Sequence, residues 1–175
     1  MDTRLQLLTD WVRQIPGFNS ASPEPVSGDA SFRRYFRVWR EMPGQPRTPF
    51  IVMDAPPAHE DCRPFVAIAE HWHRHGVHVP AIEAQDLQQG LLLLEDFGDR
   101  LMLAELDGDS ADTLYRQALD ELVRIGQMPP PANYPLPAYD DALLDREMAL
   151  FPDWLLEQHL ELTLDNQDRA LLETA

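Results

Sequence analysis

The stretch VSGDASFRRYFRV, Val26 to Val38, sets a glycine and small residues between two apolar runs and then gathers Arg33, Arg34 and Arg37. The chain has 14 basic residues besides histidine, and all are arginine. A small-residue turn between two antiparallel strands brings backbone N–H groups close to a phosphate, because Gly28 has no side chain to hold a ligand away. Asp29 and Ala30 complete the turn, and Ser31 adds a hydroxyl donor. Strand alternation puts Arg33, Tyr35 and Arg37 on one face and Phe32, Arg34 and Phe36 on the other. An arginine there can grip phosphate oxygens through a fork of hydrogen bonds. The commoner reading of a glycine turn beside arginines is a plain hairpin with solvated side chains.

The surrounding pattern decides what positions these residues. Leu5, Leu8, Trp11, Val12 and Ile15 recur at helical spacing over Asp2 to Ile15, and Pro16-Gly17 ends the run. Glu24 to Ser27, Phe32 to Arg40 and Phe50 to Ala55 read as extended, joined by turns in the manner of an antiparallel meander. Asp61 can cap a helix from Arg63 to His75, with Phe65, Ile68 and Trp72 on one side and Gly76 as its stop. VHVPAIEAQ and GLLLLEDFG read as two more strands, the second buried enough to be nearly all leucine. The expected fold is α+β, a five-stranded antiparallel sheet with one crossing helix. After Gly98 the pattern turns helical, over Asp109 to Met128, over Asp140 to Leu160 with a restart at Pro152-Asp153, and again from Asp165.

Composition narrows the function. The chain has 175 residues, is 44% hydrophobic and carries a formal charge of −16, which disfavours phosphate backbones and hence nucleic acid as partner. No apolar run reaches the length of a membrane helix and no signal peptide pattern is present, so the cytoplasm is the expected compartment. A single cysteine, Cys62, excludes an internal disulfide and a multi-cysteine zinc site, and reads as a packed thiol.

The ordered set SGDASFRRYFRV, IVMDAPPAHEDCRPFVAIA, GVHVPAIEAQDLQQGLLLLEDFGDR, LYRQALDELVRI and YDDALLDREMALFPDWLL resembles the kinase-like superfamily of aminoglycoside phosphotransferases and choline kinases. Within it, the chain is most similar to the bacterial sugar kinases of cell-wall recycling, which phosphorylate N-acetylmuramate and N-acetylglucosamine at the anomeric position. The resemblance implies a protein-kinase-like N-lobe and hinge over residues 1–98, then the first helices of an incomplete helical C-lobe over 99–175. It makes Gly28, Asp29, Ala30 and Ser31 the loop over the ATP phosphates. Backbone groups around Glu95, Asp96 and Phe97 would meet the adenine edge, and Val52 and Leu93 would sandwich the ring.

Two departures from the family pattern stand out. The third strand should carry a phosphate-gripping lysine paired to a glutamate of the crossing helix. Here IVMD puts Asp54 at that position, or Met53 if the register slips by one. The expectation is that Arg33 or Arg34 supplies the cation, with Asp54 orienting it, and that Glu70 is the helix glutamate. Second, the His-x-Asp-x-x-x-x-Asn catalytic loop is missing. His59-Glu60-Asp61 starts such a motif, but Val66 stands where asparagine is needed and the segment precedes the crossing helix.

The catalytic base and the Mg2+ ligands are therefore expected beyond Ala175, in a longer protein of which these residues are the front part. His71 and His75 share a helix face at metal-ligand spacing, but helix-surface histidines are the commoner explanation. On the family reading, Glu147 and Asp153 are candidates for the acceptor side. The expected activity is transfer of the γ-phosphoryl group of ATP to an amino sugar. An aminoglycoside, choline or homoserine acceptor and a non-catalytic nucleotide-binding module are the alternatives, and exposed apolar helix surface would favour self-association.

Overall fold

A computed structural model describes residues 2–26 and 31–173. The phosphate-loop positions Gly28, Asp29 and Ala30 lie outside the described residues. The chain forms two compact units, Met1–Pro135 and Leu136–Ala175.

The first unit opens with α1, Thr3–Val12. Asp2 caps it, its carboxylate accepting from the Leu5 N–H at 3.0 Å, which satisfies one of the free amides of the first turn. A five-stranded sheet follows, with β1 at Glu24–Pro25, β2 at Arg34–Arg40, β3 at Thr48–Asp54, β4 at Ile82–Asp86 and β5 at Leu91–Glu95. Its spatial order is β1-β2-β3-β5-β4, and every neighbouring pair is antiparallel. The expected five-stranded sheet is therefore present. Between β3 and β4 the chain crosses as α2, Arg63–Arg74, where Pro64 occupies the first turn. Cys62 is the cap residue; Asp61 acts one step earlier, its carboxylate accepting from the Arg63 N–H at 3.0 Å.

The sheet is covered on both faces. Leu8 and Val12 of α1, with Phe18, pack on Phe36, Val38, Phe50, Val52, Leu91 and Leu93. On the opposite face Met53, Ala55, Leu92 and Leu94 meet Cys62 and Val66 at the start of α2, with Tyr35, Ile51 and Phe65 partly buried beside them. A central strand buried on both sides needs apolar residues at every position, and this accounts for the run Leu91–Leu94. Gly90 fixes the approach to that strand. Its φ is +68°, and a Cβ there would lie 1.9 Å from the Ala55 carbonyl oxygen, so the chain can pass the end of β3 only without a side chain.

Beyond the sheet, α3 (Met102–Glu105) and α4 (Ala111–Gly126) complete the first unit. Leu103, Leu119 and Leu122 are more than half exposed. The second unit contains α5, Asp141–Leu150, which runs directly into a π-helical stretch, Phe151–His159, followed by α6, Asn166–Glu173. The expected restart at Pro152 is thus a change of hydrogen-bond register within one continuous helix. No helix among the described residues is long and apolar enough to cross a membrane.

Candidate functional site

The three clustered arginines take three different partners. The Arg33 Nε–H donates to Glu60 Oε2 at 3.1 Å, and Tyr35 hydrogen-bonds the same guanidinium. Partial burial works against the Arg33 charge, but the bonds to Glu60 and Tyr35 outweigh it and hold the group above its usual range. Arg34 reaches the other way, donating to Asp54 Oδ2 at 2.6 and 3.1 Å and pairing with Asp2. Arg37 donates to Asp96 at 2.5 and 3.2 Å and to Asp99 at 2.8 and 3.1 Å. Among the described residues Arg34 and Arg37 each face two carboxylates, whereas Arg33 faces one.

Asp54 is the centre of a second network. Its side chain is 0% exposed and accepts from Arg4 of α1 on one oxygen and from Arg34 of β2 on the other. Arg4 also donates to the Gln89 carbonyl at 2.9 Å, so one carboxylate ties α1, two strands and the β4–β5 turn together. Asp2 closes the ring by capping α1 and pairing with Arg34. The Arg34 hydrogen bond, aided by the Leu5 amide, lowers the Asp2 carboxyl from 3.8 to about 2.

Because the folded value lies below the unfolded one, this contribution is complete above pH 3.8 and is lost as pH falls through about 2. Asp2→Asn is expected to flatten the fall of the urea midpoint with pH below 3.8. An unchanged slope would show that the Asp2 pair does not couple to folding.

The register identifies which strand-three residue faces α2. Arg34 pairs with Asp54 and Tyr35 with Met53, and Met53 is the one packed against Cys62 and Val66. A cation paired to the crossing helix must project on that side. Of the two expected candidates, Met53 projects toward α2, whereas alternation sends Asp54 into the α1 layer. Val52 and Leu93 also point into that layer, at 0% and 1% exposure. Their neighbours on the α2 side are Ile51, Met53, Leu92 and Leu94.

The hinge candidates lie at the end of β5. The Glu95 N–H already donates to the Ala81 carbonyl at 2.9 Å, and its carboxylate accepts from the Ala81 N–H at 3.2 Å. Asp96 is held by Arg37, whose hydrogen bond lowers the carboxyl below the usual aspartate range, and it accepts from the Gly98 N–H at 2.7 Å. Phe97 is 54% exposed and lies against the His78 ring at 4.7 Å.

Glu70 is exposed on α2, lines a groove of about 340 Å³ between α2 and β4, and enters no ion pair among the described residues. The α2 histidines serve packing. The His71 ring donates through Nε2 to the Pro129 carbonyl at 2.7 Å, and His75 donates through Nδ1 to the His71 carbonyl at 2.8 Å. His71 so fastens the segment after α4 to α2, beside a groove of about 600 Å³. Glu147 on α5 and Asp153 on the π-helical stretch are both exposed.

Sequence reasoning missed Arg4 and Glu60. Arg4 sits on a helix face read only for its apolar stripe, and Glu60 lies in a loop noted only as the start of a broken motif. The available signal was charge: each is the partner that a clustered arginine or a buried carboxylate still lacked.

On the α2 side of the sheet lie the buried residues Met53, Leu92 and Leu94, the half-buried Ile51, and the Arg33 guanidinium paired with Glu60. Asp54 and Asp96 are occupied by arginines, so the described residues offer no carboxylate set fitted to Mg2+. The chain is 43% identical over 182 residues to an N-acetylmuramate/N-acetylglucosamine kinase of Pseudomonas putida, covering 97% of this chain and 51% of that protein. A kinase of the same name from Pseudomonas aeruginosa is 45% identical over 179 residues, with the same coverage, and one from Neisseria meningitidis is 26% identical over 168. The chain spans about half the length of these relatives. The profile of the phosphotransferase enzyme family, APH, matches residues 22–175, and the chain belongs to that family.

Proposed function

We propose that the protein carrying this chain is an ATP-dependent sugar kinase that phosphorylates the anomeric hydroxyl of N-acetylmuramate or N-acetylglucosamine, and that these residues form its nucleotide-binding part. The observation that carries this reading is likeness along 97% of the chain to two proteins named for that kinase activity. ATP supplies the phosphoryl group, and Mg2+ accompanies it through ligands in the part of the relatives that this chain does not span.

The chain's own residues bind and orient. Gly28 to Ser31 approach the phosphates through their backbone, and Arg33 supplies the charge that Met53 cannot. Arg34 serves the fold, since Asp54 and Asp2 already engage it. Ile51 and Leu94 form the apolar ceiling in place of Val52 and Leu93, and the backbone of Asp96 and Phe97 meets the adenine edge. Glu147 and Asp153 remain the acceptor-side candidates.

The test is calorimetric titration of MgATP into the full-length protein, alongside phosphorylation assays with both sugars. Arg33→Ala is expected to weaken MgATP about 10- to 100-fold, the equivalent of one hydrogen bond to a charged group. A folded full-length protein that phosphorylates neither sugar would overturn the assignment of substrate, and one that does not bind MgATP would overturn the kinase reading itself.

A further inference from the structure

Phe32 and Arg33, just before β2, are joined to His59 and Glu60, just before α2, by two adjacent side-chain pairs. Phe32 stacks on His59, with ring centroids 4.6 Å apart and planes 21° from parallel. One residue on, Arg33 donates to Glu60 at 3.1 Å. The Glu60 side chain is 14% exposed and that of Arg33 32%, while Phe32 is 64% exposed. The Arg33 backbone N–H also donates to Ser31 Oγ at 3.1 Å.

We propose that His59 and Glu60 form a latch that positions Arg33 for the nucleotide phosphates. This places the holding carboxylate in the loop before α2, not on the helix, where Glu70 stands exposed without an ion-pair partner among the described residues. The inference rests on the kinase reading.

The physical case is one of order before charge. A free arginine side chain surrenders rotamer entropy when a ligand fixes it. Glu60 takes the Nε–H and Tyr35 another contact, so part of that ordering is complete before an anion arrives. A shielded ion pair is weak evidence for stability, since apolar residues of similar volume often serve as well. Retaining Arg33 and Glu60 here is better explained by the orientation they impose. The stack of Phe32 on His59 adds a second hold one residue from Arg33.

Orientation and charge predict different variants. If Glu60 orients Arg33 by accepting its hydrogen bond, Glu60→Ala raises KM for ATP in the full-length protein about tenfold. Glu60→Gln, which keeps an acceptor oxygen at the same reach, then stays within about threefold of wild type, since only part of the interaction is lost. In an Arg33→Ala background, Glu60→Ala has no further effect on KM, because the residue acts through Arg33.

His59→Ala raises KM by a smaller factor, and the single Glu60 and His59 variants keep kcat within about threefold, the mark of lost ground-state binding. A Glu60→Ala enzyme with unchanged or lower KM, or one equally impaired with and without Arg33, would overturn the latch. If wild type turns over ATP and these variants match it, only the latch fails; if wild type neither binds nor uses ATP, the kinase reading fails and the latch with it.

Discussion

Asp54→Ala is expected to lower the free energy of unfolding by about 3–5 kcal/mol, the loss associated with removing one partner of a buried ion pair. The carboxylate is 0% exposed and two guanidiniums converge on it, Arg4 from α1 and Arg34 from β2. Without it, two like charges face each other across a cavity, and the Arg4 tie to the Gln89 carbonyl loses its anchor. Side-chain exposures of 29% and 38% let water reach both arginines, which moves the expected loss to the lower end, about 3 kcal/mol. Asp54→Asn keeps an acceptor but not the charge and should lose about half as much. Urea unfolding followed by circular dichroism measures both. A loss under about 1 kcal/mol for the alanine variant would mean that α1 is held by its apolar face alone. MgATP affinity of the folded asparagine variant should match wild type, because Asp54 lies on the α1 side of the sheet.

That side assignment marks the limit of what the sequence could disclose. The run Leu91–Leu94 signals a strand buried on both faces, and turn chemistry and alternation signal the meander of β1, β2 and β3, whereas the seat of β5 between β3 and β4 depends on pairing across α2. Alternation relates Met53 to Asp54 as opposite faces, but which face receives α1 and which α2 depends on contacts between residues far apart in the chain. Arg4 and Asp54 are such a pair, as are Arg37 and Asp96. Neither carries a local pattern, since an arginine on an amphipathic helix reads as solvated until its partner is known.

Pro152 misled in a more local way. It lacks the N–H that would continue the α-helical ladder, so a stop and restart is the ordinary inference. The chain instead passes into the π-helical stretch Phe151–His159, in which the hydrogen bonds shift register and the helix continues. The first compact unit runs to Pro135, and within it His71 binds the segment following α4 back to α2.

Arg37→Ala should destabilise the fold by about 2–4 kcal/mol, with nearly all of the loss arising at Asp96. The Asp96 side chain is 3% exposed, and Asp99 is 78% exposed, so the second ion pair is screened and contributes little. Arg37 carries the connection from β2 to the end of β5, where Asp96 also accepts from the Gly98 N–H and so shapes the turn out of the sheet. Removing the guanidinium strands a desolvated carboxylate at that turn. Arg37→Lys offers a point charge in place of a fork and should recover about half of the loss.

The pH dependence separates this effect from simple loss of packing. Arg37 lowers the folded Asp96 carboxyl below its ordinary value of 3.8, so the pair's contribution is complete above that pH and declines as pH falls through the lowered folded value. The stability difference between wild type and Arg37→Ala should therefore narrow in acid. A difference that stays constant with pH would assign the loss to the aliphatic stem of Arg37, not to its charge. If the turn after β5 also presents the backbone that meets adenine, the alanine variant will bind MgATP more weakly at neutral pH while still folded, and Arg37→Lys will lie between it and wild type.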